Sequence, residues 1–444
     1  MKRRSIRKKL SSFQIIMIGF LAVIFIGAFL LSLPISARTG RWTSFSDALF
    51  TSASAVCVTG LVVRDTAVYW SVFGQTVILF LIQTGGLGIV TVAAFIATVS
   101  GRKISLRERS TLQESISAHQ VGGIVRLTGF IFKAAFSAEL IGAVIMLPAF
   151  YGSFGVSGIW MSVFHSVSAF CNAGFDIMGG RTGEFSSLTF FKGNLWVVIP
   201  VCLLIMFGGI GFLTWDDFAA NRFHFKRYRM QTKAILTVTA VLIIIPAAIF
   251  FFSDFSQYGL RERICLSIFQ AVTPRSAGFN TADIGSMTSA GRAMMIVLML
   301  IGGAPGSTAG GIKTTTIAVL AANITAVIRR RKNPMLFFRR LEDQAVKSAA
   351  ALLIMYLFMT FAGAFIISLL DGLPFSPCFF ETSSAIGTVG LTLGITTSIG
   401  SVSRLILIAL MFFGRVGGLT LMHAAVNSNG MEVAQRPVEK INVG

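Results

Sequence analysis

Charge is scarce in this chain. Of 444 residues only 13% are charged, and acids are the scarcer sign, 18 Asp and Glu against 38 Lys and Arg. With 54% hydrophobic residues and a mean hydropathy of +0.77, the composition excludes a soluble protein of any size. Cysteine is sparse too: Cys57, Cys171, Cys202, Cys265 and Cys378 are odd in number and show no CxxC pair, so neither a disulfide framework nor a structural zinc site is indicated. The histidines, His119, His165, His224 and His423, lie in segments that do not obviously converge. Without a Ser, His and acid grouping, a membrane hydrolase or acyltransferase is a poor competitor. The net charge of +20 would suggest nucleic acid in a soluble chain, but no aromatic-interleaved basic fold accompanies it, so no nucleic-acid role is expected.

What is present is apolar sequence in runs of about 20 residues, the length a helix needs to cross a bilayer, without the ten-residue alternation of a β-barrel. The fold class is all-α integral membrane. The basic residues gather in four places, six in 2–9, five in 101–126, five in 216–233 and six in 329–340, which the positive-inside rule reads as cytoplasmic segments with anionic lipid headgroups as partners. Between successive clusters the chain crosses twice, with spans expected at 13–35 and 72–98, 127–150 and 194–215, 234–253 and 293–328, and 346–370 and 402–425. That gives eight transmembrane helices with both termini cytoplasmic; the first, too long for a signal-peptide core and without a clear cleavage site, is read as retained.

Inside each pair lies a stretch neither apolar enough to cross nor charged enough for an exposed loop: FTSASAVCVTGLVV, FHSVSAFCNAGFDI, IFQAVTPRSAGFNT and FETSSAIGTVGLTL. Aligned on Gly60, Gly174, Gly278 and Gly390, they place Phe50, Phe164, Ile268 and Phe380 ten residues earlier and Ala55, Ala169, Thr273 and Ala385 five earlier. A glycine cluster recurs in each second span, Gly85, Gly86 and Gly88, then Gly208, Gly209 and Gly211, then Gly302 and Gly303, then Gly414, Gly417 and Gly418. Small-residue helix packing explains part of this; the fourfold recurrence indicates an internal repeat of span, pore loop and span. The units are expected at 1–100 (pore loop 47–62), 101–220 (161–176), 221–340 (265–280) and 341–425 (377–392), with a cytoplasmic tail at 426–444.

Non-helical backbone at membrane depth survives only where protein buries it or water reaches it. Four such segments can converge on one pseudo-fourfold axis. Each begins as a short helix, roughly 47–55 in the first unit, whose partially negative C-terminal end favours a cation. Glycine lets backbone carbonyls turn toward the axis, where a ring of them can replace an alkali cation's hydration shell. The filter positions are Val58, Thr59 and Gly60; Asn172, Ala173 and Gly174; Ser276, Ala277 and Gly278; and Thr388, Val389 and Gly390.

These motifs resemble the membrane subunit of the Ktr/Trk/HKT superfamily of potassium transporters, most like the bacterial KtrB branch. The resemblance covers nearly the whole chain. It implies potassium uptake into a bacterial cell across the plasma membrane through a pore within one protomer, commonly sodium-dependent, with no organic cofactor. It also implies a homodimer seated on a cytosolic nucleotide-binding regulatory ring. Relatives with Ser at the first filter position favour sodium; Gly60 stands there in this chain, so potassium is expected, with a sodium-permeable or weakly selective transporter as the alternative. Pro274 and Arg275 depart from the small residues of the first two loops.

From Met294 to Ile328 the sequence has 35 residues, about 52 Å as helix against a core of about 30 Å. It is therefore expected to break at Gly302, Gly303, Ala304, Pro305, Gly306, Ser307, Thr308, Ala309, Gly310 and Gly311. A Walker phosphate loop nearly fits Gly306, Gly311, Lys313 and Thr314, but Ile312 intrudes and no strand precedes it. Composition weighs a mobile plug and a rigid kink about equally; the resemblance implies a gate. Arg415, deep in the last span, is by default functional, and the resemblance places a basic residue there too.

Five acids, two cysteines and a histidine complete the candidates. Glu139 is read as a partner of a neighbouring helix ahead of a coupling-ion ligand. Glu381 is read as an acid at the start of the fourth pore helix. Asp65, Asp176 and Asp283 follow three filters as outer-mouth or solvated loop charges. A soft-metal site at Cys57, Cys171 and His165 is weighed against small packing residues, and packing is the stronger reading.

Overall fold

The computed structural model describes residues 11–420 except 103, 118–121, 223 and 419. The basic segment 2–9, His119, His423 and the tail 426–444 lie outside the described residues. Helix dominates, and among the described residues the only strands form a short hairpin, Met335–Leu336 with Arg339–Arg340.

Among the described residues four single helices are long and apolar enough to cross a membrane: Ser12–Ser32, Ile124–Phe154, Met230–Ser253 and Asp343–Asp371. The first starts on a capping box in which Ser11 Oγ accepts from the Gln14 amide (3.2 Å) and the Gln14 side chain accepts from the Ser11 amide (3.0 Å). It stops at Leu33 because Pro34 follows and holds the preceding residue extended.

After each long helix comes a short one packed against it: Phe45–Val56, Ser157–Phe170, Leu260–Val272 and Phe375–Ile386. Phe50, Phe164 and Phe380 are buried here, as their shared column suggests. The third unit departs from the alignment. Ile268 is 42% exposed and Phe269 is fully buried in its place, so the buried aromatic of this helix stands one residue closer to its glycine. Pro274 has no amide hydrogen with which to continue the final turn, and the regular helix stops at Val272.

The second spans are not the continuous helices expected. Val72–Leu87 and Ile89–Val99 meet at 97°, and Leu195–Gly209 and Phe212–Asn221 at 96°. Sixteen and fifteen residues give only about 24 Å and 22 Å of straight helix before each bend. The bends fall at Gly88 (φ 88°) and Gly211 (φ 92°), and Gly417 (φ 90°) ends Ser401–Val416 in the same conformation. The third counterpart is broken as expected, into Ser289–Leu300 and Thr314–Ile328.

The glycine clusters thus do more than let helices approach. A Cβ on Gly85, Gly208 or Gly414 would strike the carbonyl oxygen of Val56, Phe170 or Ile386, at the C-terminal end of the short helix in the same unit. These glycines form the seats on which three of the short helices end.

Candidate functional site

Each short helix ends next to its aligned glycine, and the four glycines lie against one another in sequence order. A Cβ built on Gly60 would stand 3.2 Å from the Gly174 Cα, one on Gly174 3.0 Å from Gly278, one on Gly278 3.3 Å from Gly390, and one on Gly390 2.9 Å from Gly60. The same Cβ atoms would press on the carbonyl oxygens of Ala173, Ala277, Val389 and Thr59, each from the residue before the neighbouring glycine. The set closes into a ring with no room for a side chain between segments.

Backbone conformation repeats around the ring. Gly60, Gly174, Gly278 and Gly390 have φ of 89°, 67°, 84° and 93°, and the residues two before them, Val58, Asn172, Ser276 and Thr388, have φ of 57°, 59°, 75° and 49°. Left-handed backbone at non-glycine residues, two of them β-branched, is strained and persists only where surroundings enforce it. Here hydrogen bonds enforce it. The amides of Thr59, Ala173 and Val389 each donate to the carbonyl of Ser54, Ser168 or Ser384 at 2.8 Å, and the Ala277 amide donates to the Thr273 carbonyl at 3.0 Å. Hydroxyls at the helix ends add a second set. Ser54 Oγ and Ser384 Oγ accept from the Gly60 and Gly390 amides (both 3.0 Å), while Ser168 Oγ and Thr273 Oγ1 donate to the carbonyls of Phe175 and Phe279 (both 2.7 Å). Sequence reasoning missed these hydroxyls, although serine stands six residues before the glycine in three of the four aligned segments.

Residues 302–311 pack against the ring. The ends of the loop meet in a parallel bridge: the Gly302 amide donates to the Ile312 carbonyl (2.9 Å), and the Ile312 amide to that of Leu300 (3.1 Å). The loop between is fastened to several units. Ala304 N–H donates to Gly209 O (2.8 Å), Thr308 N–H to Gly208 O (3.2 Å), and Gly310 N–H to Ser276 Oγ (2.9 Å). Asn172 Nδ2 donates to Thr308 Oγ1 at 2.7 Å.

Arg415 donates to the carbonyls of Thr308, Gly85 and Gly86, the last at 2.8 Å. It therefore binds the loop to the first bent span. Lys313, considered in the sequence only as part of a near-Walker pattern, donates from Nζ to the Ala309 carbonyl at 2.7 Å. Two cations thus hold adjacent loop carbonyls. A cavity of about 290 Å³ lies beside the loop, with Pro305, Ser307, Lys313 and Arg415 in its wall.

The remaining candidates are structural in their contacts. Glu139 Oε1 accepts from Gln83 Nε2 (2.9 Å), the neighbouring-helix partner expected. Glu381 is not at a helix start: it is the seventh residue of Phe375–Ile386, where the hydroxyls of Thr392 and Thr396 donate to its Oε1. The helix starts earlier because Pro374 supplies the fixed entry geometry at its N-cap. Asp65 is buried, capping Thr66–Tyr69 and accepting from the Phe185 amide (2.8 Å); Asp176 and Asp283 accept from the amides of Met178 and Gly285 in local turns. Asp47, in the first turn of the first short helix, accepts from Arg64 and Arg404, both at 2.9 Å. Cys171 packs where a Cβ on Gly86 would stand, and His165 stacks on Phe150 with ring centroids 5.1 Å apart.

Several apolar spans and two sharply bent helix pairs, gathered around a closed ring of backbone bends with residues 302–311 fastened against it, define a helical multi-span membrane protein. The family description TrkH, cation transport protein, matches residues 3–432, and the chain belongs to that family, one of transporters and not of enzymes. It is 40% identical over 416 residues to Ktr system potassium uptake protein B of Bacillus subtilis, covering 92% of each chain. It is 37% identical over 456 residues to potassium/sodium uptake protein NtpJ of Enterococcus hirae, covering 100% of this chain and 99% of the relative. The crystal structure of the potassium transporter TrkH from Vibrio parahaemolyticus shares the fold, with a TM-score of 0.75 at 17% identity over 96% of this chain and 87% of that one.

Proposed function

We propose that this chain is the membrane subunit of a potassium uptake system, with the ring around Gly60, Gly174, Gly278 and Gly390 as its selectivity filter. The observation that carries the reading is the closure of that ring, with left-handed residues at matching positions in all four segments. Such backbone presents successive carbonyls to an axis, and the short helices direct their partially negative ends at it. Val58, Thr59, Asn172, Ala173, Ser276, Ala277, Thr388 and Val389 complete the filter. Residues 302–311 gate it from the cytoplasmic side, and Arg415 holds the gate closed through its loop carbonyl.

In this reading the four units at 1–100, 101–220, 221–340 and 341–425 cross a bacterial plasma membrane eight times, both termini being cytoplasmic. The names of the two relatives support potassium as cargo, and the printed name of the second supports a sodium-permeable alternative. Sodium dependence, a homodimer and a cytosolic nucleotide-binding ring are the assembly proposed for it. Tracer flux into proteoliposomes tests the cargo. Rubidium uptake well above sodium uptake is the expected result, and equal rates would establish the weakly selective alternative in its place.

A further inference from the structure

We infer that the gate loop also positions the filter, through the side chains of Asn172 and Ser276, so that Thr308 is a selectivity-determining residue although it lies outside the filter. This rests on the filter reading above. Asn172 and Ser276 stand two residues before Gly174 and Gly278, at the left-handed positions of their segments. Strain at such positions persists only where contacts hold it, and besides the backbone bonds of their own segments both side chains have a partner in the loop.

Thr308 is fully buried, and its polar atoms are all engaged. Its amide donates to Gly208 O (3.2 Å), its hydroxyl accepts from Asn172 Nδ2 (2.7 Å) and donates to Phe170 O (3.2 Å), and its carbonyl accepts from Arg415. Phe170 is the last residue of the second short helix, so one threonine ties the loop both to the helix end and to the filter segment that follows it. Two residues on, the Gly310 amide donates to Ser276 Oγ (2.9 Å), and that hydroxyl donates to the Thr388 carbonyl of the fourth segment (2.9 Å). Loop, third segment and fourth segment are linked through one oxygen.

Withdrawal of the loop breaks both links at once and leaves the two strained residues held only by the bonds within the ring segments. Loop position and the shape of the filter's inner end are therefore coupled, and coupling is reciprocal: whatever cation the inner end binds better with the loop docked also stabilises docking. A loop that merely obstructed the path would change the rate of passage and leave discrimination untouched.

The test compares Thr308→Val, which keeps shape and removes the hydroxyl, with Thr308→Ser, which keeps the hydroxyl, in proteoliposome tracer uptake. Expected for Thr308→Val is a several-fold fall in rubidium-over-sodium preference and a rise in half-saturating rubidium, with Thr308→Ser close to the parent. Adding Asn172→Leu to Thr308→Val should change little beyond Thr308→Val alone, since the Asn172–Thr308 bond is already lost there. Altered maximal flux with unchanged preference, no rescue by Ser, or fully additive effects would overturn the inference. Should Thr308→Val not yield folded protein, Ser276→Ala tests the second link with the same readouts. Gly60→Ser run in parallel separates the two levels: unchanged preference in that variant removes the filter reading, whereas a change there with none in Thr308→Val removes only the coupling.

Discussion

Replacement of Gly60 by Ser puts the filter geometry to its most direct test. Gly60 has a φ of 89°, and an added Cβ would stand 2.5 Å from the Ala173 carbonyl oxygen, where ordinary van der Waals contact begins at 3.4 Å. Relief demands a shift of about 0.9 Å, and Ala173 cannot retreat freely because its amide is tied to the Ser168 carbonyl at 2.8 Å. The left-handed backbone itself costs roughly 1–3 kcal/mol for a side-chain-bearing residue. If the ring relaxes by displacing one carbonyl from its best distance to the preferred ion, a differential of that size between two cations corresponds to roughly a 5- to 150-fold change in preference. The assay is competitive uptake of rubidium and sodium by proteoliposomes at matched protein density, with thermal unfolding as a check of folding. A folded Gly60→Ser protein with preference within twofold of the parent would refute the reasoning.

Three further outcomes follow from contacts already described. Excision of 303–310 should leave the fold intact, because a Cβ on Gly302 would already stand 3.4 Å from the Gly311 Cα, and it should raise tracer flux; a folded deletion with parental flux would remove the gate. Arg415→Gln loses its charge-assisted bonds to three carbonyls, about 1.5–3 kcal/mol for even one such bond, so flux should rise by roughly ten- to hundredfold if the loop must leave. No rise would assign Arg415 to packing. Glu139→Leu strands Gln83 Nε2 at a cost of about 1–3 kcal/mol, which should lower the melting temperature in detergent while uptake persists. Loss of uptake at parental melting temperature would point instead to an ion ligand.

The glycines of the ring were legible in the sequence because no other residue satisfies both a positive φ and a neighbouring carbonyl at contact. The break between Met294 and Ile328 was legible because length alone forbids a straight crossing. The bends at Gly88 and Gly211 were harder, since 72–98 and 194–215 carry no charge and are short enough to pass as plain spans. Only the carbonyl ends of the short helices, pressed against Gly85 and Gly208, explain why the chain must turn soon afterwards. Phe269 displaced Ile268 because a single missing residue before Gly278 is invisible to an alignment anchored on the glycine. The loop contact of Lys313 was not legible because its partner, the Ala309 carbonyl, carries no side-chain signature.

The ring is made of four unlike segments on one covalent chain, VTG, NAG, SAG and TVG. In a pore assembled from identical subunits every substitution is written four times, and the cation meets all four copies. With the ring as the proposed filter, each change here is written once, so discrimination between ions could be adjusted in quarter steps, with one wall given over to contacts with the loop while the others keep their shape.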